Sequence, residues 1–107
     1  MTVVAMKLEP QSRLTESDNA LENAAKVFTS LSNPTRLEVL LRIIKREWTV
    51  NELAADLHTS QSALSQHLGK LRQAGIVRAR RDRQSIFYCC SDELVLRLLT
   101  EAGLVKR

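Results

Sequence analysis

The sequence predicts a mainly α-helical protein with five helices and one small two-stranded β-hairpin. Three observations carry this expectation. Apolar residues recur at spacings of three and four in five separate segments. Between the fourth and fifth of these, residues 76–90 switch to an alternating pattern and then to a run rich in strand formers. The 107 residues include only 3 Gly and 2 Pro, too few for a barrel or sandwich with many tight turns. A chain of this length forms one domain, which excludes a multi-domain enzyme. Such a chain buries only about two-thirds of its unfolded surface, so self-association is expected to help stabilise it.

Residues 1–17 have weak periodicity and contain Pro10, so they read as a flexible arm preceding a domain over residues 18–107. From Asp18 or Asn19, the residues Leu21, Ala24, Ala25, Phe28 and Leu31 make the apolar stripe of a first helix. Ser32-Asn33-Pro34 ends it and begins the second. Asn33 can accept from free amides there, and Pro34 suits the first helical position, where its missing N–H costs nothing. The second helix carries Leu37, Leu40, Leu41 and Ile44. Thr49 is the expected cap of a short third helix with Val50, Leu53, Ala54 and Leu57 on one side, ending near His58.

Thr59-Ser60 offers the next cap, and a fourth helix runs from Gln61 to about Ala74, stopped by Gly75. Residues 76–81 and 85–90 form the hairpin strands around an Asp82-Arg83-Gln84 turn. Ser91 is read as the cap of a fifth helix, with Asp92 and Glu93 at its positive end and Leu94, Val95, Leu98, Leu99 and Ala102 as its apolar stripe.

Charge is concentrated rather than spread. Of the net +4, residues 57–91 hold six basic groups (Lys70, Arg72, Arg78, Arg80, Arg81, Arg83) and one acid, Asp82. That patch adjoins a polar helix face, which points to a polyanion partner. At 100° per residue, Leu64, Leu68 and Leu71 of the fourth helix cluster on one side, while Gln61, Ser62, Ser65, Gln66, Gly69, Arg72 and Gln73 occupy the opposite arc. A short helix, a tight turn, a polar-faced helix and an Arg-bearing hairpin make a winged helix-turn-helix, whose second helix enters the DNA major groove.

Gln61 and Gln66 suit adenine edges, and Ser62 and Ser65 suit base edges or phosphate, so these four are the expected base readers. Ser60, Lys70 and Arg72 are expected on the DNA backbone, with Arg81 and Arg83 of the wing on phosphates or the minor groove. Arg78 and Arg80 rank behind them, because strand alternation can aim them elsewhere. Solvation alone explains Gln and Ser on an isolated helix face; the wing that follows shifts the reading toward DNA.

The chain resembles the ArsR/SmtB family of dimeric bacterial winged-helix repressors. The likeness runs through Ser32-Asn33-Pro34-Thr35-Arg36-Leu37, Trp48-Thr49-Val50-Asn51-Glu52-Leu53, Ser60-Gln61-Ser62-Ala63-Leu64-Ser65-Gln66-His67-Leu68, Leu71-Arg72-Gln73-Ala74-Gly75-Ile76-Val77 and Arg80-Arg81-Asp82-Arg83-Gln84-Ser85-Ile86-Phe87-Tyr88. It spans roughly residues 19–102 and is most similar to the NolR/HlyU-like branch, which acts without the usual metal sites. The resemblance implies a homodimer in which the first and last helices pack across a two-fold axis, with Leu21, Phe28, Leu94, Leu98 and Leu99 at the interface. It also implies two recognition helices on an inverted repeat of double-stranded DNA. The apolar stripes of those two helices independently suit such a dimer.

The family's thiolate metal site would fall at Thr49 and Asn51, and its Asp/His zinc site would need a His after His67, which this chain lacks. The persulfide-sensing pair would need a Cys on the second helix, also missing. No metal or other cofactor is therefore expected. Cys89 and Cys90 are the only reactive pair; adjacent strand residues point to opposite faces, and both thiols are read as structural.

The alternatives are a repressor responsive to oxidant or trivalent arsenical through Cys89 and Cys90, and a winged-helix module for RNA or protein. Catalysis is not expected, because no phosphate loop, no Ser/His/Asp set and no partner orienting the thiols is visible. His67 should pack internally, His58 should cap, and Trp48 should lie in the core. No apolar run reaches the ~18 residues of a membrane span, and no export signal is seen, so cytoplasm is the expected location and no membrane partner is expected.

Overall fold

A computed structural model describes the backbone of residues 11–106 and the side chains of residues 19–106. Its elements are α1 (Gln11–Leu31), α2 (Pro34–Ile43), β1 (Trp48–Thr49), α3 (Val50–Leu57), α4 (Gln61–Gln73), β2 (Arg78–Asp82), β3 (Ser85–Cys89) and α5 (Glu93–Glu101). The five helices expected from apolar spacing are present, and their ends follow the local chemistry. Asn33 caps α2 by accepting from the Arg36 amide at 3.1 Å, with Pro34 at the first position. Thr49 and Glu52 form a reciprocal capping box at α3. Gly75 takes φ +78° just past α4, the left-handed conformation that side-chain-bearing residues resist.

Two boundaries and the strand count differ from expectation. Helix α1 begins at Gln11, so residues 11–17 are helical; only residues 1–10 of the expected arm lie outside the described residues. The cap of α5 is Asp92, whose carboxylate accepts from the Val95 amide at 3.0 Å, and not Ser91. A carboxylate at a helix N-terminus gains from the dipole as well as the hydrogen bond. The sheet has three strands in the order β1-β3-β2, all antiparallel, rather than two. Trp48 pairs with Tyr88 and Thr49 with Phe87, while β2 and β3 pair from Arg78 with Cys89 to Asp82 with Ser85. A two-residue strand shows no alternation to read, and its position is set by tertiary contacts. The Trp48 indole donates to the Arg42 carbonyl at 3.1 Å, and the Arg46 guanidinium stacks 3.7 Å from the ring centre.

The core joins α2 (Val39, Leu40, Ile43), α3 (Leu53, Ala54), α4 (Leu64, Leu68, Leu71), the sheet (Tyr88) and α5 (Val95, Leu99). Leu99 is only 2 % exposed and belongs to this core, which corrects its expected place at a dimer interface. Val95 and Leu99, four apart, form the inward row of α5, whereas Leu94 stands outward. The stripe on α5 is therefore two rows, one buried in the core and one exposed or half-buried.

Candidate nucleic-acid interface

The turn between α3 and α4 is made by three residues. His58 adopts φ 54°, ψ 46° as the C-cap of α3, and Ser60 caps α4 by accepting from the Ala63 amide at 3.1 Å. The two helices are thereby held in helix-turn-helix relation, with Leu53, Leu64 and Leu68 buried. Burying the Leu64, Leu68 and Leu71 side of α4 turns Gln61, Ser62, Ser65 and Gln66 outward, and all four are exposed. Their side chains make no hydrogen bond to any described residue, so their donors and acceptors are free for a partner. At the N-terminus of α4, the Gln61 and Ser62 amides have no carbonyl of their own helix to reach, which suits a phosphate oxygen. Ser60 is exposed, and its hydroxyl proton remains able to donate while its oxygen caps.

Arg72 and Lys70 are exposed near the far end of α4. Lys70 flanks the outward arc on the side of α1 and lines a recess there. In the wing, Arg81 and Arg83 are exposed and form no ion pair with a described residue. Arg80 is otherwise engaged. It binds Glu47 through two 2.7 Å hydrogen bonds and lies 4.7 Å from the Phe87 ring centre, spanning β3 from β2 to the loop before β1. The Arg80 hydrogen bonds hold the Glu47 carboxyl below the usual carboxylate range. Arg78 is exposed at the base of the wing.

Arg83 has φ 61° at the first position of a two-residue hairpin loop, where Gly is the favoured residue. Arg83→Gly is expected to leave the fold as stable or up to about 1 kcal/mol more so, by relieving the left-handed strain. The same change should weaken DNA binding and reduce the salt slope by about 0.9 for one lost phosphate contact. Thermal melts and binding at several salt concentrations measure both; an unchanged slope would remove Arg83 from the interface.

Two residues outside the expected set support the site. Glu47 fixes Arg80, as described. Arg36 donates from Nε to the Ser30 carbonyl at 2.7 Å and from Nη2 to the Thr29 carbonyl at 3.2 Å, and its Nη1 lies 3.3 Å from His67 Nδ1. It thus ties the end of α1 to α4. Burial, and then the Arg36 charge, push the His67 imidazole below its ordinary range, in keeping with an internal role. Both contacts join residues more than thirty positions apart, and no local pattern announces them.

Outside this surface patch, Leu21 of α1 is 67 %, Phe28 of α1 61 % and Leu94 of α5 53 % exposed, an unusual display of large apolar side chains. Leu98, four residues after Leu94 on α5, is half-buried. Cys90 is buried, its amide donates to the Ile43 carbonyl at 3.1 Å, and burial pushes its thiol up, which disfavours the reactive thiolate. Cys89 is half-buried on β3. Among the described residues, no three His, Cys, Asp or Glu side chains gather in a metal-binding cluster, and no helix is long and apolar enough to cross a membrane.

Comparison with known proteins agrees with this geometry. The family described as "Bacterial regulatory protein, arsR family" matches residues 33–79, from the cap of α2 into β2. Nodulation protein NolR of Rhizobium meliloti is 44 % identical over 84 residues, covering 78 % of this chain and 69 % of that protein. The crystal structure of NolR from Sinorhizobium fredii superposes with a TM-score of 0.76 at 38 % identity, covering 94 % of this chain and 99 % of that one. A solution structure of Mb0332 from Mycobacterium bovis, described as a homodimeric winged helix-turn-helix DNA-binding domain, superposes with a TM-score of 0.75 at 27 % identity, covering 82 % of each chain. The α3–turn–α4 unit, its free polar arc and the arginine wing are thus those of a winged helix-turn-helix regulator, and the chain belongs to the arsR family of bacterial regulatory proteins.

Proposed function

We propose that this regulator acts as a homodimeric repressor on an inverted-repeat operator. Gln61, Ser62, Ser65 and Gln66 read bases, and Ser60, Lys70, Arg72, Arg81 and Arg83 hold the backbone. The observation that carries the reading is the outward arc of α4, whose hydrogen-bonding side chains have no partner within the described subunit. A two-fold dimer through Leu21, Phe28 and Leu94, with Leu98 at its edge, sets the two copies of α4 about one DNA turn, ~34 Å, apart. Bound across a promoter, the dimer excludes polymerase, and its place of work is the cytoplasm with the chromosome. The homodimeric description of the Mb0332 domain supports this assembly.

Selection of bound fragments from random DNA tests the reading and should return a two-fold symmetric motif. On that motif, Gln61→Ala or Gln66→Ala should cost about 1–3 kcal/mol and relax preference at one position of each half-site. Arg81→Ala should weaken specific and random DNA alike. Equal losses on both kinds of DNA for the Gln variants would remove them as readers. Flat preference among DNA and RNA sequences would favour an RNA- or protein-binding module, although duplex RNA hides the groove that α4 is shaped to enter.

A further inference from the structure

Between α1 and the C-terminal half of α4 lies a recess of about 470 Å³, within the size range of small-molecule sites. Its wall contains Lys26, Arg36 and Lys70 and no carboxylate, with Thr29 and Gln73 as neutral hydrogen-bonding groups. Arg36 is fixed by the Ser30 and Thr29 carbonyls and by His67, and a guanidinium has five N–H groups, so it retains donors after these contacts. Lys26 and Lys70 form no ion pair with a described residue.

Cations near helix C-termini ordinarily serve the free carbonyls. Here that need is met otherwise. Arg36 takes the Thr29 and Ser30 carbonyls of α1, and the amides of Ala74, Gly75 and Ile76 take the Lys70, Arg72 and Leu71 carbonyls of α4. The two lysines are left over. We infer that this recess binds a small anion carrying two or more charges, of the phosphate-ester or polycarboxylate class.

The position gives such a ligand a consequence, which rests on the DNA-regulator reading above. One wall is the helix carrying the dimer stripe, and the other is the reading helix. On α1, Phe28 lies within about 20° of Leu21 around the axis and Lys26 about 140° away, while Ala25 belongs both to the apolar stripe and to the recess wall, so a second copy on the stripe borders the recess on the side away from Lys26. An anion held there occupies Lys70, a backbone-binding candidate, and fixes the packing of α1 on α4. It is therefore expected to lower operator affinity.

The test titrates the full chain, free of DNA, with pyrophosphate and in parallel with citrate, in chloride buffer at constant ionic strength. At least one of them should saturate a single site per chain, and the better binder indicates which chemistry is preferred. Lys26→Glu should weaken binding at least about tenfold, the loss expected for one charge-assisted contact. Lys26→Gln should act in the same direction, which guards against a fold defect from charge reversal. Lys45→Gln, outside the recess, should leave binding unchanged. Saturating anion should then reduce operator binding several-fold in the natural protein and not in Lys26→Glu.

No saturation by about 10 mM of either probe, or binding unaffected by both Lys26 variants, overturns the site. Loss of operator affinity in Lys26→Gln with no anion present also overturns it, because the recess would then serve DNA phosphate. Anion binding by a protein that selects no DNA would leave the recess standing and remove the regulator reading alone.

Discussion

Phe28→Asp combined with Leu94→Asp is expected to convert the protein to monomers and to weaken operator binding by about 100- to 10,000-fold. The physical reason is the loss of linked binding. A dimer that engages one half-site presents its second α4 at a high local concentration to the other, and monomers forfeit that gain without losing any base contact. Phe28 and Leu94 are more than half exposed, so charging them costs the isolated subunit little, whereas buried unpaired carboxylates at an apolar interface are strongly unfavourable. Sedimentation and operator titration check the two halves of the result. An unchanged dimer mass would show that the copies meet elsewhere, and a monomer with full operator affinity would show that pairing is irrelevant to DNA binding. Leu99→Ala makes no such test, since Leu99 belongs to the subunit core.

Leu68→Ala is expected to cost about 2–5 kcal/mol of folding stability, the range for a truncated, fully packed Leu. Leu68 is 1 % exposed and sits between Leu64 and Leu71 on the buried side of α4. A small domain has only about 5–15 kcal/mol in total, so the variant should melt well below the parent. Urea denaturation measures the loss directly. Operator affinity should fall only as the folded fraction falls, in contrast to Gln66→Ala, which should spare stability and lose base preference. A Leu68→Ala protein as stable as the parent would mean that α4 is not anchored as described.

The contrast between these residues shows how much of the site was legible in the chain. Where the chemistry is local, sequence and structure agree. Asn33, Thr49 and Ser60 cap the helices they precede, because each side chain reaches an amide only three residues on. The buried face of α4 follows from Leu64, Leu68 and Leu71 at helical spacing, and the polar arc is its geometric complement. Ser91 and Asp92 were both able to cap α5, and local pattern did not separate neighbours with similar chemistry.

The chain by itself therefore determined the helices, the hairpin, the outward arc of α4 and the basic surplus around it, all consequences of spacing and of contacts a few residues long. Only the tertiary structure decided that Trp48 and Thr49 add a third strand, that Arg80 is held by Glu47, that Arg36 joins α1 to His67, and that Leu99 turns inward while Leu94 stays exposed. Periodicity states that a stripe is apolar but not which surface will cover it. Long-range pairs depend on where whole elements come to rest, and that is fixed by the packing of the core.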